Sequence, residues 1–359
     1  MAALVVVAHH FMLAFKPQVE PTFSSNPPAW VDSPLGILIN GSFSVSVFFV
    51  LSGFVLALTS QKLRQNLPRD LVARYLRLAL PATASVIVAW MVLRAFPHAA
   101  EALALQTGSP WLDYSLKGDE PTFLGALKDG LYGIFTKGES RYNNVLWTMR
   151  IELFSSFGIY LFFQFVRRRQ MLVGLLLTVA LMALHANRGY VAFALGALLH
   201  LAWQSGRLIS PRVAILIFAI GVALGAQANG FAGRHGLEAW PRAWMPGHSR
   251  SLWYPIAALF IVAGVLFSPG LRRFFELPIC RFLGRISFPI YLLHVPLIYT
   301  LVAWFAVRFG MVQGAGLLPL FCGFLLFAIA AAWLFERYVD QPALGLKGRL
   351  PKNMPKAWG

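Results

Sequence analysis

Charge, acidic side chains and cysteine are all scarce in this chain, and each shortage excludes something. Only 13% of its 359 residues are Asp, Glu, Lys or Arg, about half the share of a soluble domain, which rules out a fold that keeps its whole surface in water. Two cysteines, Cys280 in a basic loop and Cys322 inside an apolar run, do not make a disulfide framework. No His, Cys, Asp and Glu set has metal-ligand spacing, so no metal is expected. The N-terminus lacks the basic leader and small-residue cleavage site of a secretory signal and reads as a retained span. No second, soluble domain is visible.

What is present is apolar sequence. The chain is 58% hydrophobic with a mean hydropathy of +0.63. Runs of roughly 20 apolar residues recur, each able to cross the ~30 Å hydrocarbon layer as a helix. The fold class is therefore all-α: a polytopic integral membrane protein of about ten transmembrane helices. The expected spans are roughly 1–15, 36–59, 76–95, 146–166, 171–186, 190–204, 213–228, 253–268, 286–306 and 316–335.

The net charge of +17 is a matter of topology before it is a matter of nucleic acid, which is not an expected partner. With a cytoplasmic N-terminus, the inside loops hold 19 of the 31 Lys and Arg and 4 of the 14 acids. The outside segments hold 11 basic and 9 acidic residues. That partition is what the positive-inside rule requires, and it places both termini in the cytoplasm. Two outside segments, 96–145 and 227–252, mix polar groups with aromatics: Trp111, Tyr114, Tyr132 and Tyr142 in the first, Trp240 and Trp244 with His235 and His248 in the second. Such rings either cover sugar faces or form an interfacial belt.

The stretch that organises the chain is 43–81. A membrane-length apolar run ends at Ser60 and is followed by a hinge bearing Lys62, Arg64, Arg69, Arg74 and Arg77. Arg74 and Arg77 are three residues apart, which puts both on one face of a helix starting near Asp70. Two guanidinium forks at a membrane surface suit a phosphate-bearing ligand arriving from the water.

Ionisable groups at membrane depth are costly and mark function by default. Here they are His9 and His10, Arg150 and Glu152, His200 and His294. His10 is a candidate base, because an imidazole can take a proton from a hydroxyl near neutral pH; the bland alternative is a hydrogen-bonded packing residue. Glu152 either pairs with an arginine of another span or with Arg150, or it orients a histidine or a substrate hydroxyl. Ser287, Tyr291 and His294 form one polar stripe on an apolar helix, which either lines a path or bonds neighbouring helices.

Five segments in register carry a resemblance: Ala2-Ala-Leu-Val-Val-Val-Ala-His-His10-Phe; Phe48-Phe-Val-Leu-Ser-Gly-Phe54; Arg74-Tyr-Leu-Arg77-Leu; Leu146-Trp-Thr-Met-Arg-Ile-Glu152; and Leu283-Gly-Arg-Ile-Ser-Phe-Pro-Ile-Tyr-Leu-Leu-His294. They resemble the acyltransferase-3 family of polytopic membrane acyltransferases. The likeness extends to Glu336-Arg-Tyr-Val-Asp-Gln-Pro342.

The resemblance implies an acyltransferase-type transmembrane domain over 1–342 and a cytoplasmic tail over 343–359. The expected activity is transfer of an acyl group, acetyl first, from cytoplasmic acyl-CoA to a hydroxyl of a glycan or lipid-linked acceptor in a bacterial inner membrane. It makes His10 the base, implicates Glu152 in catalysis and links Arg74 and Arg77 to the CoA phosphates. The family's arginine eleven residues before the histidine falls two positions ahead of Met1, so a first span truncated at its N-terminus is expected. No periplasmic hydrolase-like appendage is expected. A transporter or flippase of a lipid-linked sugar would also be basic inside, but predicts inverted repeats or paired broken helices. A scaffold would not need these four residues together.

Overall fold

The computed structural model describes residues 1–20, 23–24, 28–60, 66–115, 121–166, 169–184, 186–206, 209–226, 249–349 and 351. Among them there are helices and turns and no strand. This is the outcome lipid imposes, because a helix satisfies its own backbone hydrogen bonds where no water can. Lys62, Arg64 and the aromatic segment with Trp240, Trp244, His235 and His248 lie outside the described residues.

The helices in chain order are α1 (Ala2–Phe15), α2 (Gly41–Ser60), α3 (Leu67–Ala95), α4 (Ala99–Thr107), α5 (Pro110–Ser115), α6 (Phe123–Lys128) and α7 (Ile134–Thr136). There follow α8 (Trp147–Phe165), α9 (Gln170–Ala183), α10 (Arg188–Gln204), α11 (Pro211–Ala226), α12 (Ser249–Phe267) and α13 (Pro269–Phe275). The last are α14 (Pro278–Arg285), α15 (Ser287–Leu297), α16 (Ala303–Arg308), α17 (Leu317–Phe335) and α18 (Gln341–Arg349).

Among the described residues, five helical stretches can cross a membrane by length and composition: Gly41–Ser60, Leu67–Ala95, Asn144–Phe165, Ser287–Arg308 and Gly314–Leu346. A sixth forms if Trp253–Phe267 and Pro269–Phe275, bent by 98°, count as one span. The bend has a local cause: Ser268 accepts a hydrogen bond from the Leu271 amide and Pro269 opens a new helix. Helix length does not support the expected ten spans, since α1 and α9 have 14 residues and α11 has 16, short of the ~20 a full crossing takes.

Among the described residues two large packed cores share the bundle, beside a small cluster of Phe54, Leu199 and Ala263. One joins α1, α3, α15 and α17 through residues such as Phe11, Leu78, Leu292 and Phe324. The other joins α2, α8, α10 and α12 through Phe49, Ile159, Phe193 and Ala257. α8 contributes to both, with Met149 and Leu153 on one side and Ile151 and Phe163 on the other. At the crossing of α2 and α10, a Cβ on Gly53 would stand 2.2 Å from the Phe193 carbonyl oxygen, and one on Gly196 2.1 Å from that of Val50. Glycine on both sides lets the backbones touch, the usual means of helix association where the solvent is itself apolar.

α15 is the innermost helix: every residue from Pro289 to Leu297 is buried. It packs on α1, α3 and α17. α3 starts where its sequence says it should, with Asn66 capping the Arg69 amide, Pro68 in the first turn and Asp70 beside the positive helix end.

Candidate active site

Two histidines from opposite ends of the chain meet between α1 and α15. His294 Nδ1 lies 3.0 Å from the Ile290 carbonyl oxygen. A carbonyl only accepts, so Nδ1 carries the hydrogen and the Nε2 of a neutral His294 is left as an acceptor. That Nε2 is 3.1 Å from His10 Nδ1, which is itself 3.0 Å from the Val6 carbonyl oxygen. With acceptors on both sides, His10 Nδ1 must be the protonated nitrogen, and His10 Nε2 holds the free lone pair. His294 has no exposed surface, whereas His10 keeps some.

His9 points elsewhere. Its Nδ1 donates to the Ile39 carbonyl oxygen at 2.9 Å, with Glu20 3.8 Å away. It pins the loop ahead of α2, and its ring fills the space beside Gly41.

Trp111 and Tyr142, read from sequence among the candidate sugar-facing or belt aromatics, are buried at 7% and 1% exposure. Trp111 packs its ring 5.3 Å from that of His10 and 5.2 Å from that of Tyr299. The Ser109 hydroxyl, donating to the Leu13 carbonyl oxygen at 2.6 Å, ties the start of α5 to the end of α1 and folds this loop onto the histidine. Tyr142 donates to the Thr122 carbonyl oxygen at 3.0 Å. Only Tyr132 of the described side chains in that set is exposed.

Arg74 and Arg77 line one cavity of about 340 Å³ together with Glu152, Thr148, Phe48 and Tyr291. Their forks diverge. Arg74 forms a short ion pair with Glu152 on α8, and its Nε donates to the Ser156 hydroxyl at 2.8 Å. Arg77 grips both oxygens of Asp340 at 2.5 and 3.3 Å and lies over the Phe288 ring. Asp340 comes from a π-helical turn, Glu336–Asp340, which turns both acids inward. Glu336 in turn holds Arg285 at 3.4 Å and Gln341 at 2.7 Å. Each cavity arginine thus carries its own carboxylate, and the four charges cancel. Arg150 donates to the Lys137 carbonyl oxygen at 3.4 Å, and the partner of Glu152 is the arginine of another helix. Among the described residues Glu152 is bonded to Arg74 and not to either histidine of the pair, and no group of three or more His, Cys, Asp or Glu could hold a metal.

The polar stripe of α15 joins the two halves of the site. Ser287 and Tyr291 line the cavity. The Tyr291 hydroxyl donates to the Val145 carbonyl oxygen at 2.6 Å and sits 2.9 Å from Thr148 Oγ1. Its ring centroid is 5.9 Å from that of His294. The Tyr291 ring therefore lies between a cavity with two guanidiniums and His294, which in turn bonds His10. A cavity bearing fixed cations, linked through these rings to an imidazole with a lone pair, is equipped for group transfer.

A family model described as an acyltransferase domain, that of the acyltransferase-3 family, matches residues 1–337. The chain belongs to the acyltransferase-3 family. No curated protein and no solved structure matches it. As a family member it is a membrane acyltransferase, and every motif that carried the resemblance contributes to the site just described. Asp340, Ser156 and Thr148 were not read from sequence as site residues. Asp340 had a signal, an acid four residues after Glu336 at the end of the helical stretch 314–346. Trp111 was read as a sugar-facing or belt aromatic and not as a neighbour of His10, because that contact depends on how a loop folds.

Proposed function

We propose that this acyltransferase takes an acyl group, acetyl first among them, from cytoplasmic acyl-CoA and delivers it to a hydroxyl of a glycan or lipid-linked acceptor bound for the cell envelope or export. The observation that carries the reading is the nitrogen left unprotonated on His10 by its bond to His294, in a contact chain that runs from the arginine-lined cavity through the rings of Tyr291 and His294.

In this reading the acceptor hydroxyl attacks the thioester carbonyl carbon while His10 Nε2 takes the hydroxyl proton. The C–O bond forms and the C–S bond breaks. The CoA thiolate then receives that proton from the His10 imidazolium. His294 Nε2, accepting from His10 Nδ1, steadies the positive charge in between. The nucleotide end of the donor lies toward Arg74 and Arg77. Each guanidinium has five N–H donors, so pairing with one carboxylate leaves part of the fork for a phosphate oxygen. Glu152 acts in this scheme by holding Arg74.

We propose further that the short apolar helices complete a bundle of about ten spans in a bacterial inner membrane, with both termini and the tail 343–359 on the cytoplasmic side. The test is incubation of membranes carrying the protein with labelled acetyl-CoA, followed by mass spectrometry of the cell's glycans. An acetyl-sized mass gain that disappears in His10→Ala is the expected result. Transfer that survives that substitution excludes the assignment.

A further inference from the structure

We propose that Tyr291 sets the length of the acyl group this enzyme accepts, by closing the inner end of the donor cavity against all but short chains. The inference rests on the acyl-CoA reading above and names the residue that chooses among donors.

Tyr291 lines the cavity on one side and meets His294 on the other. Because His294 has no exposed surface, the cavity ends on this side at the Tyr291 ring. Phe48 of α2 faces the same ring at 6.4 Å between centroids. The phenol cannot swing aside freely, since its hydroxyl is tied to Val145 and Thr148 at 2.6 and 2.9 Å. The acyl group is the leading end of a CoA thioester that enters past the arginines. Its leading carbons meet the Tyr291 ring, behind which His294 is packed without a gap. A cavity of about 340 Å³ that also holds the pantetheine arm leaves little volume there. Removing the ring creates room beside the carbonyl for a longer chain, and each methylene so buried is worth about fourfold in affinity.

The experiment uses membranes carrying the full chain and non-transferable CoA analogues, in which a methylene separates sulfur from carbonyl, with two-, four- and eight-carbon acyl groups. Each competes with labelled acetyl-CoA, so binding is read whether or not a variant turns over. In the wild type, affinity falls by about tenfold or more from the two-carbon to the eight-carbon analogue. Tyr291→Ala abolishes or inverts that fall, whereas Tyr291→Phe, which keeps the ring and loses the hydroxyl, retains it. Phe48→Ala widens the same end without touching the Tyr291 hydrogen bonds, and serves if Tyr291→Ala does not reach the membrane. The same length dependence in the wild type and in the widened variants, or none in the wild type, overturns the proposal. A wild type that binds acetyl-CoA but does not discriminate defeats the role of Tyr291 alone; one that binds no acyl-CoA at all defeats the donor reading with it.

Discussion

His294 commits its Nδ1 hydrogen to the Ile290 carbonyl oxygen, and that bond dictates what His10 can do three ångströms away. Replacing His10 by Ala removes the base and is expected to lower kcat by 10²–10⁴ while acetyl-CoA still competes for the cavity. Steady-state kinetics with labelled donor, set beside equilibrium competition, checks both halves. Replacing His294 by Ala leaves His10 Nδ1 with only the Val6 carbonyl oxygen and frees its ring to turn. A loss of about 10- to 100-fold in kcat with KM unchanged is expected, the usual size of effect for a group that orients a histidine. A matching rise in KM would show that His294 shapes the donor site instead. At this scale the sequence marked His10 as the base and His294 as part of a stripe, but not their contact. Spacing along a helix says which residues share a face and leaves open what that face touches.

Helix α3 presents two arginines three residues apart, and each is taken by a carboxylate from a different element: Glu152 of α8 and Asp340 of the turn after α17. The side chains of the Arg74 pair are 16% and 15% exposed, so cutting one member strands a largely buried charge. Glu152→Gln is expected to cost about 2–4 kcal/mol, somewhat less than for full burial. The double substitution Arg74→Ala with Glu152→Ala should cost less than the two single losses combined, as thermal unfolding in detergent would show. Asp340 competes with any phosphate for Arg77. Asp340→Asn should therefore lower KM for acetyl-CoA by roughly five- to tenfold, about 1 kcal/mol of relieved competition, and Arg77→Ala should raise it. The pairing of Arg74 and Arg77 on one helix face was legible in the sequence because it follows from helix geometry. Their partners were not, since the residues lie 78 and 263 positions away.

The cavity is lined from both cores, and α2 supplies much of its wall. The crossing of α2 and α10 within the second core fixes where α2 sits, through Gly53 and Gly196. Gly196→Leu drives a side chain into the backbone of α2, and a loss of at least about 1–3 kcal/mol with falling yield of folded protein in the membrane is expected. Gly345→Ala, where an added Cβ meets nothing within 4 Å, should unfold at the wild-type temperature. Reporter fusions at the two ends, expected to be active in the cytoplasm, test the topology read from the basic loops.

By itself the sequence determined that this chain is helical, apolar and membrane-bound. Hydropathy and loop charge are properties of each segment alone, and a bilayer acts on segments one at a time. It also marked the ionisable groups held at membrane depth, because their cost there is paid wherever they end up. Tertiary structure alone decided that His10 meets His294 across 284 residues and that Trp111 turns inward. Only the fold put Tyr291 between the arginine-lined cavity and His294. Those outcomes depend on which helix faces pack together, and apolar faces that look alike in sequence become distinct neighbours only when the bundle closes.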